Sequence, residues 1–139
     1  QVVNRLIDPD DQRPKIALYD GGGAGGETQG RLFESQLPGC RVERVGPVDI
    51  RSGCLSLFDA VIFPGGSGSA QAKAIAESGR EAVIQFVDGG GGYVGVCAGA
   101  YLALDNYTWS LGLLPLDSFT APSRSHVVVR NCESANVTV

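Results

Sequence analysis

The sequence predicts an α/β domain with a mainly parallel sheet. Short apolar segments alternate with helical patterns along most of the chain, and clusters of glycine follow the apolar segments. In addition, Cys97 lies between the apolar segment 92–96 and a helical pattern that begins at Ala98. Because functional residues of such folds lie on loops at the carboxyl ends of the strands, the glycine clusters and Cys97 are expected along one edge of the sheet.

The first half of the domain follows a polar N-terminal arm at residues 1–14. An apolar run predicts a strand at 15–19, the segment 27–37 predicts a helix with an apolar face, and alternation predicts a strand at 41–45. The predicted buried residues of the helix are Leu32, Phe33, Gln36 and Leu37. Residues 47–53 are expected to connect this unit to the next strand.

The second half repeats the pattern as far as Cys97. We expect a third strand at 57–63, a Pro-Gly-Gly loop at 64–69, helices at 70–78 and 81–87, and a break at Gly79 between them. Later apolar segments at 125–130 and 136–139 predict two strands of a hairpin. The domain is therefore expected to span 15–139 and to be incomplete at its C-terminus.

Composition excludes several classes of partner. The chain has 139 residues, 43% of them hydrophobic and 19% charged, which is typical of a soluble globular domain. A net charge of −4 without a basic stripe argues against nucleic acid, and no apolar run is long enough to predict a membrane span. The chain begins with Gln1 and has no Met, so a processed or partial chain is expected, either cytoplasmic or exported after signal removal.

Cys97 has the setting of a nucleophile elbow, with cysteine replacing serine. Gly95 and Gly99 lie two residues to either side, where larger side chains would collide with a sharp strand-to-helix turn. The following helix is expected to direct free N–H groups at the sulfur, which favours the thiolate, and the Ala98 N–H would be one oxyanion donor. The alternative is a buried structural cysteine.

The other cysteines fit no metal-binding spacing, and no metal is expected. Cys40 and Cys54 flank a strand and a loop and would form a disulfide in an exported protein, although reduced, structural thiols are the favoured interpretation. Cys132 lies alone near the end of the chain.

The glycine loop 21–26 satisfies G-x-G-x-x-G between a strand and a helix. This motif suggests dinucleotide binding, but the second strand has no acidic residue at its end, and the motif is weak in a glycine-rich loop. The loop could equally bind an anion or make room beside Cys97. We therefore expect no cofactor.

Several motifs together resemble the class I glutamine amidotransferase-like superfamily. The segments are 17–23, 61–68, 90–101 and 111–115, and within the superfamily they are most similar to the N-terminal domain of eukaryotic biotin-protein ligase. The resemblance implies a flavodoxin-like three-layer sandwich and a Cys–His–Glu triad. It also implies an oxyanion hole formed by the backbone of Gly65, Gly66 and Ala98.

The rest of the triad departs from the pattern of the superfamily. No His-Pro-Glu segment follows Cys97, and the only histidine, His126, lies near the start of a late strand, where a surface or core histidine is the favoured interpretation and a catalytic base the alternative. Glu27 and Asp20 lie near the end of the first strand and could approach Cys97 or cap a helix.

The sequence thus predicts a cysteine-dependent amidotransferase-like hydrolase that attacks an amide through Cys97. The expected substrate is a small-molecule or peptide amide, and a homo-oligomer is a candidate assembly. The alternative is a catalytically inactive binding or regulatory domain of the same fold.

Overall fold

The computed structural model describes residues 8–105 and 107–114, together with the backbone of two later strands. The first half of the arm, residues 1–7, lies outside the described residues, and so do His126, Cys132 and the predicted strand at 136–139. The expectations for those residues therefore stay predictions.

A four-stranded, entirely parallel sheet forms the centre of the fold, as the alternation of segments predicts. The strand order is β2-β1-β3-β4, so β1 and β3 lie in the middle of the sheet. The strands are β1 (Lys15–Tyr19), β2 (Arg41–Val45), β3 (Ala60–Phe63) and β4 (Gly92–Gly95).

Among the described residues, four α-helices connect the strands or follow them. They are α1 (Glu27–Gln36), α2 (Pro47–Arg51), α3 (Gly68–Asp88) and α4 (Ala98–Ala103). A 3₁₀ helix, Cys54–Leu57, follows α2, and two later strands, β5 (Asp117–Thr120) and β6 (Val127–Arg130), pair antiparallel. Among the described helices, none combines the length and apolar character needed to cross a bilayer.

The core lies on one face of the sheet. Side chains alternate between the two faces along β1 and β3, and Tyr19 and Phe63 lie on this face. Buried residues of three helices pack with them to form the hydrophobic core. Those residues are Ile50 of α2, Ile75 of α3 and Leu102 of α4, each fully buried. Helices α2, α3 and α4 therefore hold one face of the sheet in a fixed position.

Coverage of the opposite face declines across the sheet. Leu18, Ile62 and Val94 are aligned in register on β1, β3 and β4, and their exposed fractions are 1%, 4% and 47%. The predicted apolar face of α1 is wrong, because the helix has no buried residue and Leu32 is 56% exposed. The described residues establish the parallel sheet, whereas the three-layer sandwich stays a prediction.

The predicted third strand and the connection before it are corrected. Residues 47–53 are largely helical: Pro47 occupies the first turn of α2, and the Asp49 carboxylate accepts a hydrogen bond from the Gly46 N–H at 2.8 Å. The 3₁₀ helix takes up residues 54–57, so β3 begins only at Ala60.

The break in α3 falls at Ala76 rather than at Gly79. Ala76 has φ 61° and ψ −177°, a conformation that an L residue rarely adopts. Arg51 contributes a hydrogen bond beside the break, because its guanidinium donates to the Ala74 carbonyl at 2.9 Å. Gly79 has a packing role, since a Cβ there would lie 2.8 Å from the Cβ of Ile75.

The thiols of Cys40 and Cys54 are free, so the disulfide that an exported protein would form between them is absent from this structure. Cys54 is buried in the core, and burial raises the pKa of its thiol from an ordinary 9.0 to about 11. The reduced, structural interpretation of this pair is the one that the structure supports.

Candidate active site

Cys97 lies at a sharp junction between β4 and α4. Strand β4 ends at Gly95, α4 begins at Ala98, and Cys97 has φ 53° and ψ −107°. This region of backbone space costs a residue with a side chain on the order of 1–3 kcal/mol, so the surrounding structure must impose it. The Cys97 residue is exposed, which contradicts the alternative of a buried structural cysteine.

The flanking glycines are required by close backbone contacts. A Cβ at Gly95 would lie 2.5 Å from the carbonyl oxygen of Gly99, and a Cβ at Gly99 would overlap the carbonyl oxygen of Phe63. The sequence predicts glycine at these two positions for the same steric reason, and the contacts agree with that prediction.

The Pro-Gly-Gly loop lies directly against Cys97. Gly65 is buried, and a Cβ at this residue would lie 3.5 Å from the Cβ of Cys97. Gly66 has φ 135° and approaches the carbonyl oxygen of Gly23, so only glycine fits there. Among the hydrogen bonds of the described residues, none uses the N–H of Gly66 or of Ala98. Two predicted oxyanion donors are thus uncommitted.

Gln71 connects the two glycine-rich loops, and the sequence analysis missed it. Its side chain is fully buried in the first turn of α3, where its amide donates hydrogen bonds to the carbonyls of Pro64 at 2.8 Å and Gly23 at 3.4 Å. The Ser67 N–H also donates to Gly23, at 2.9 Å. The detectable pattern was a polar residue four positions before the buried Ile75 on one helix face.

The close packing of these loops accounts for part of the glycine motif at 21–26. Gly23 has φ 85°, and a Cβ there would lie 2.7 Å from the carbonyl oxygen of Ser67. This glycine is therefore explained without a bound dinucleotide. Among residues 8–105 and 107–114, no group of acidic, histidine or cysteine side chains has an arrangement that could hold a metal ion.

Three stacked aromatic rings support both sides of the site from below. Tyr19 and Phe63 have ring centroids 4.9 Å apart, and Phe63 and Tyr93 have centroids 5.6 Å apart. The Tyr19 hydroxyl donates to the Gly22 carbonyl, and the Tyr93 hydroxyl donates to the Gly99 carbonyl, each at 2.8 Å. Burial raises the pKa of Tyr19 to about 12 and that of Tyr93 further, so both remain donors.

The predicted acidic partners are held by an arginine. Glu27 binds Arg44 and, at 2.9 Å, Arg31, while Asp20 lies 3.3 Å from Arg44. The hydrogen bonds from Arg44 and then Arg31 hold the pKa of Glu27 below its usual range. Both carboxylates are thus engaged by arginine. Because His126 lies outside the described residues, the predicted triad stays a prediction.

Gln29 is a second residue that the sequence analysis missed. The nitrogen of its side-chain amide would lie 3.0 Å from a Cβ at Gly65, the glycine that faces Cys97. Its carbonyl oxygen is buried without a hydrogen-bond partner among the described residues. Only its place in the first turn of the helix after the glycine loop could have indicated it.

A cavity of about 270 Å³ opens beside Cys97. It is bounded on one side by the start of α3 and on the other by Cys97, α4 and the segment after it. The lining residues are Gly66, Gly68, Ser69, Cys97, Ala98, Tyr101, Tyr107 and Trp109.

Comparison with known proteins is informative for this half of the chain. The family described as "Biotin-protein ligase, N terminal" matches residues 55–118, which include the Gly65–Gly66 loop and Cys97. A solved protein from Thermoplasma acidophilum, described as a "putative gmp synthase subunit a protein", is 21% identical over 66% of this chain, with a TM-score of 0.47. The chain spans 43% of that protein's length. No curated protein matches the chain. The family match confirms, over residues 55–118, the resemblance of the chain to the N-terminal domain of biotin-protein ligase.

Proposed function

We propose that this chain is a cysteine-dependent amidotransferase-like hydrolase in which Cys97 attacks a small-molecule or peptide amide. The observation that carries the proposal is the backbone of Cys97, held at φ 53° with the residue exposed beside the Gly65 loop. A structural cysteine gains nothing from such strain, whereas a nucleophile elbow uses it to present the sulfur above the sheet. The proposal includes a flavodoxin-like three-layer sandwich around this elbow.

In the proposed reaction, the Cys97 sulfur forms a bond to the amide carbonyl carbon. The carbon–nitrogen bond then breaks, and the nitrogen leaves as an amine or ammonia after receiving a proton. Water attacks the resulting thioester, which releases the carboxylate and restores the thiol. The chemistry needs donors for the developing oxyanion and a base for proton transfer.

The backbone N–H groups of Gly66 and Ala98 are the proposed oxyanion donors. Both lie on the lining of the cavity that contains Cys97, and both are unused in the hydrogen bonds of the described residues. Donors that are fixed before the reaction stabilise the oxyanion without the cost of reorganisation. Gly65 completes this loop by allowing it to approach Cys97.

The proposed base is His126, because it is the only histidine of the chain. Glu27 would orient the imidazole only after exchanging its contact with Arg44 for one with the histidine. The thiol chemistry and the base are therefore tested by separate variants.

The test is ammonia release from acetamide, asparagine, glutamine and benzamide by the wild-type chain. We expect release from at least one of them, its complete loss in Cys97→Ala, and a large loss in His126→Ala. Cys40→Ala is the matched control for removal of a thiol. Trapping of the thioester by hydroxylamine would identify the intermediate, and release that persists in Cys97→Ala would refute the proposal.

A binding or regulatory domain is the second candidate function. It is favoured by the engagement of Glu27 and Asp20 with Arg44, which leaves the described residues around Cys97 without an acidic partner. Under this interpretation, the amides would bind without ammonia release. Alkylation of Cys97 by chloroacetamide would then be no faster than that of a free thiol in solution.

A further inference from the structure

We propose that the cavity beside Cys97 selects flat, uncharged amides, meaning carboxamides on an aromatic ring, over amino-acid amides such as glutamine. As a statement about the substrate, this inference rests on the proposed function. As a statement about binding, it rests only on the cavity.

The first argument is the charge of the lining. The side chains that surround the cavity are small, hydroxylated or aromatic, and none of the eight lining residues is an Asp, Glu, Lys, Arg or His. Glutamine carries an ammonium and a carboxylate, and each would need an opposite charge or several hydrogen bonds to offset the loss of water. The described lining offers neither group a charged partner.

The second argument is the flat aromatic surface. The rings of Tyr107 and Trp109 are stacked, with centroids 4.6 Å apart and planes 10° from parallel. Tyr101 meets Tyr107 edge-on, with centroids 6.3 Å apart and an angle of 60°. A planar ligand gains offset-stacked or edge contacts on such a surface, whereas a saturated ligand of the same size gains only apolar burial.

The third argument is that this aromatic surface is fixed in place; we call the rings of Tyr101, Tyr107 and Trp109 the aromatic wall. The Ser110 hydroxyl donates to the Tyr107 carbonyl at 2.7 Å, and the Leu111 N–H donates to the Leu102 carbonyl of α4, also at 2.7 Å. The Trp109 ring packs so closely on Gly68 that a Cβ there would lie 3.1 Å from it. A ligand would therefore meet a preformed surface and lose little free energy in ordering it.

The size of the cavity also favours an amide on a single ring. A volume of about 270 Å³ lies just below the range of roughly 300–1,000 Å³ that is usual for drug-sized ligands. A single ring with its carboxamide is the scale of ligand that fits, with the amide toward Cys97 and the ring on the aromatic wall.

The test uses Trp109 as a reporter, since it is the only tryptophan of the chain. Benzamide, cyclohexanecarboxamide and glutamine are titrated against the tryptophan fluorescence of the wild type and of Cys97→Ser. We expect benzamide to saturate the signal in both and to bind roughly three- to tenfold more tightly than cyclohexanecarboxamide, because stacking is worth that much beyond burial. Glutamine is expected to bind more weakly than either.

Calorimetry extends the test to variants of the wall. Tyr107→Leu should remove the preference for benzamide while leaving the affinity for cyclohexanecarboxamide within about twofold, because leucine keeps apolar burial and loses only stacking. Phe33→Leu, on α1, is the matched control and should keep the preference. Circular dichroism verifies that each variant is folded.

The inference is overturned if benzamide does not bind, if cyclohexanecarboxamide binds equally well, or if glutamine binds most tightly. Its failure is distinguishable from failure of the proposed function. Benzamide binding without ammonia release from any of the four amides supports the inference and refutes the hydrolase, whereas ammonia release from glutamine without benzamide binding does the reverse.

Discussion

The Cα of Gly99 lies so close to the carbonyl oxygen of Phe63 that no side chain fits at residue 99. Phe63 is the last residue of β3, and Gly99 lies in the first turn of α4. This contact brings the helix that follows Cys97 onto the end of the neighbouring strand. The position of the sulfur is thus set by a contact between two backbones.

Substituting Gly99→Ala should therefore destabilise the fold and displace Cys97. Overpacking of a well-packed site typically costs about 1–3 kcal/mol, and here the opposing atom is backbone that moves little. Urea unfolding measures the loss. Gly39→Ala is the control, because a Cβ at Gly39 would meet nothing within 4 Å. Equal stability of the two variants would contradict the proposed packing.

The strain at Cys97 predicts an unusual order of stability among its variants. Glycine tolerates φ 53° without the steric cost that alanine shares with cysteine, so Cys97→Gly should be about 1 kcal/mol more stable than Cys97→Ala. At Cys40, which has no positive φ, glycine should instead be the less stable of the two. Thermal unfolding of the four variants tests both statements. If the alanine variant is the more stable one at both positions, the backbone of Cys97 is not strained.

The break in α3 predicts a stabilising substitution at Ala76. This residue is exposed and has φ 61°, so Ala76→Gly removes backbone strain without removing a core contact. We expect a gain of about 1 kcal/mol. Ala74→Gly, within regular helix, should instead cost about 1 kcal/mol. A loss of stability in Ala76→Gly, measured by urea unfolding, would show that the helix is continuous at this point.

Removing the amide of Gln71 should loosen both loops at the site. Gln71→Leu leaves the buried carbonyl of Pro64 and the part-buried carbonyl of Gly23 without this donor, at a cost of roughly 1–3 kcal/mol. Amide hydrogen exchange at Ser67 should accelerate, because its N–H donates to the Gly23 carbonyl. Gln85→Leu, at an exposed position of the same helix, is the control and should change neither quantity.

Alkaline pH should destabilise the protein through three buried acids. Burial raises the pKa of Cys54 from 9.0 to about 11, that of Tyr19 from 10.0 to about 12, and that of Tyr93 further still. Between these values, the unfolded chain has lost protons that the folded chain keeps, so the free energy of unfolding falls as the pH rises from about 9 to about 12. In Tyr19→Phe, the free energy of unfolding measured with urea should fall less steeply in the upper part of this pH range. An unchanged dependence on pH would contradict the prediction.

The parallel sheet and the glycines around Cys97 were predictable because they depend on local pattern. Apolar runs followed by helical periodicity place β1 at its observed bounds and predict β3 and β4 with one end in error by one to three residues, and Gly95 and Gly99 follow from the sterics of one turn. The sequence analysis instead erred at α1, where Leu32 is exposed although its spacing predicts burial. Spacing identifies an apolar face, but it does not reveal whether anything covers that face.

Contacts between segments that are distant in the sequence could not be predicted from local sequence pattern. The binding of Glu27 to Arg44 joins residues 17 positions apart, and the two loops meet through Gln71, 48 positions from Gly23. The aromatic wall at Tyr107 and Trp109 is a turn-rich segment in the sequence and becomes part of the site only because hydrogen bonds fold it back onto α4.

The stacked rings of Tyr19, Phe63 and Tyr93 join the core to both sides of the site. The hydroxyls of Tyr19 and Tyr93 donate hydrogen bonds to the carbonyls of Gly22 and Gly99, so neither segment separates from the sheet while the rings stay packed. The site and the core should consequently open as one cooperative unit. In near-ultraviolet circular dichroism, the asymmetric signal of these rings should disappear over the same denaturant range in which Cys97 loses its defined surroundings.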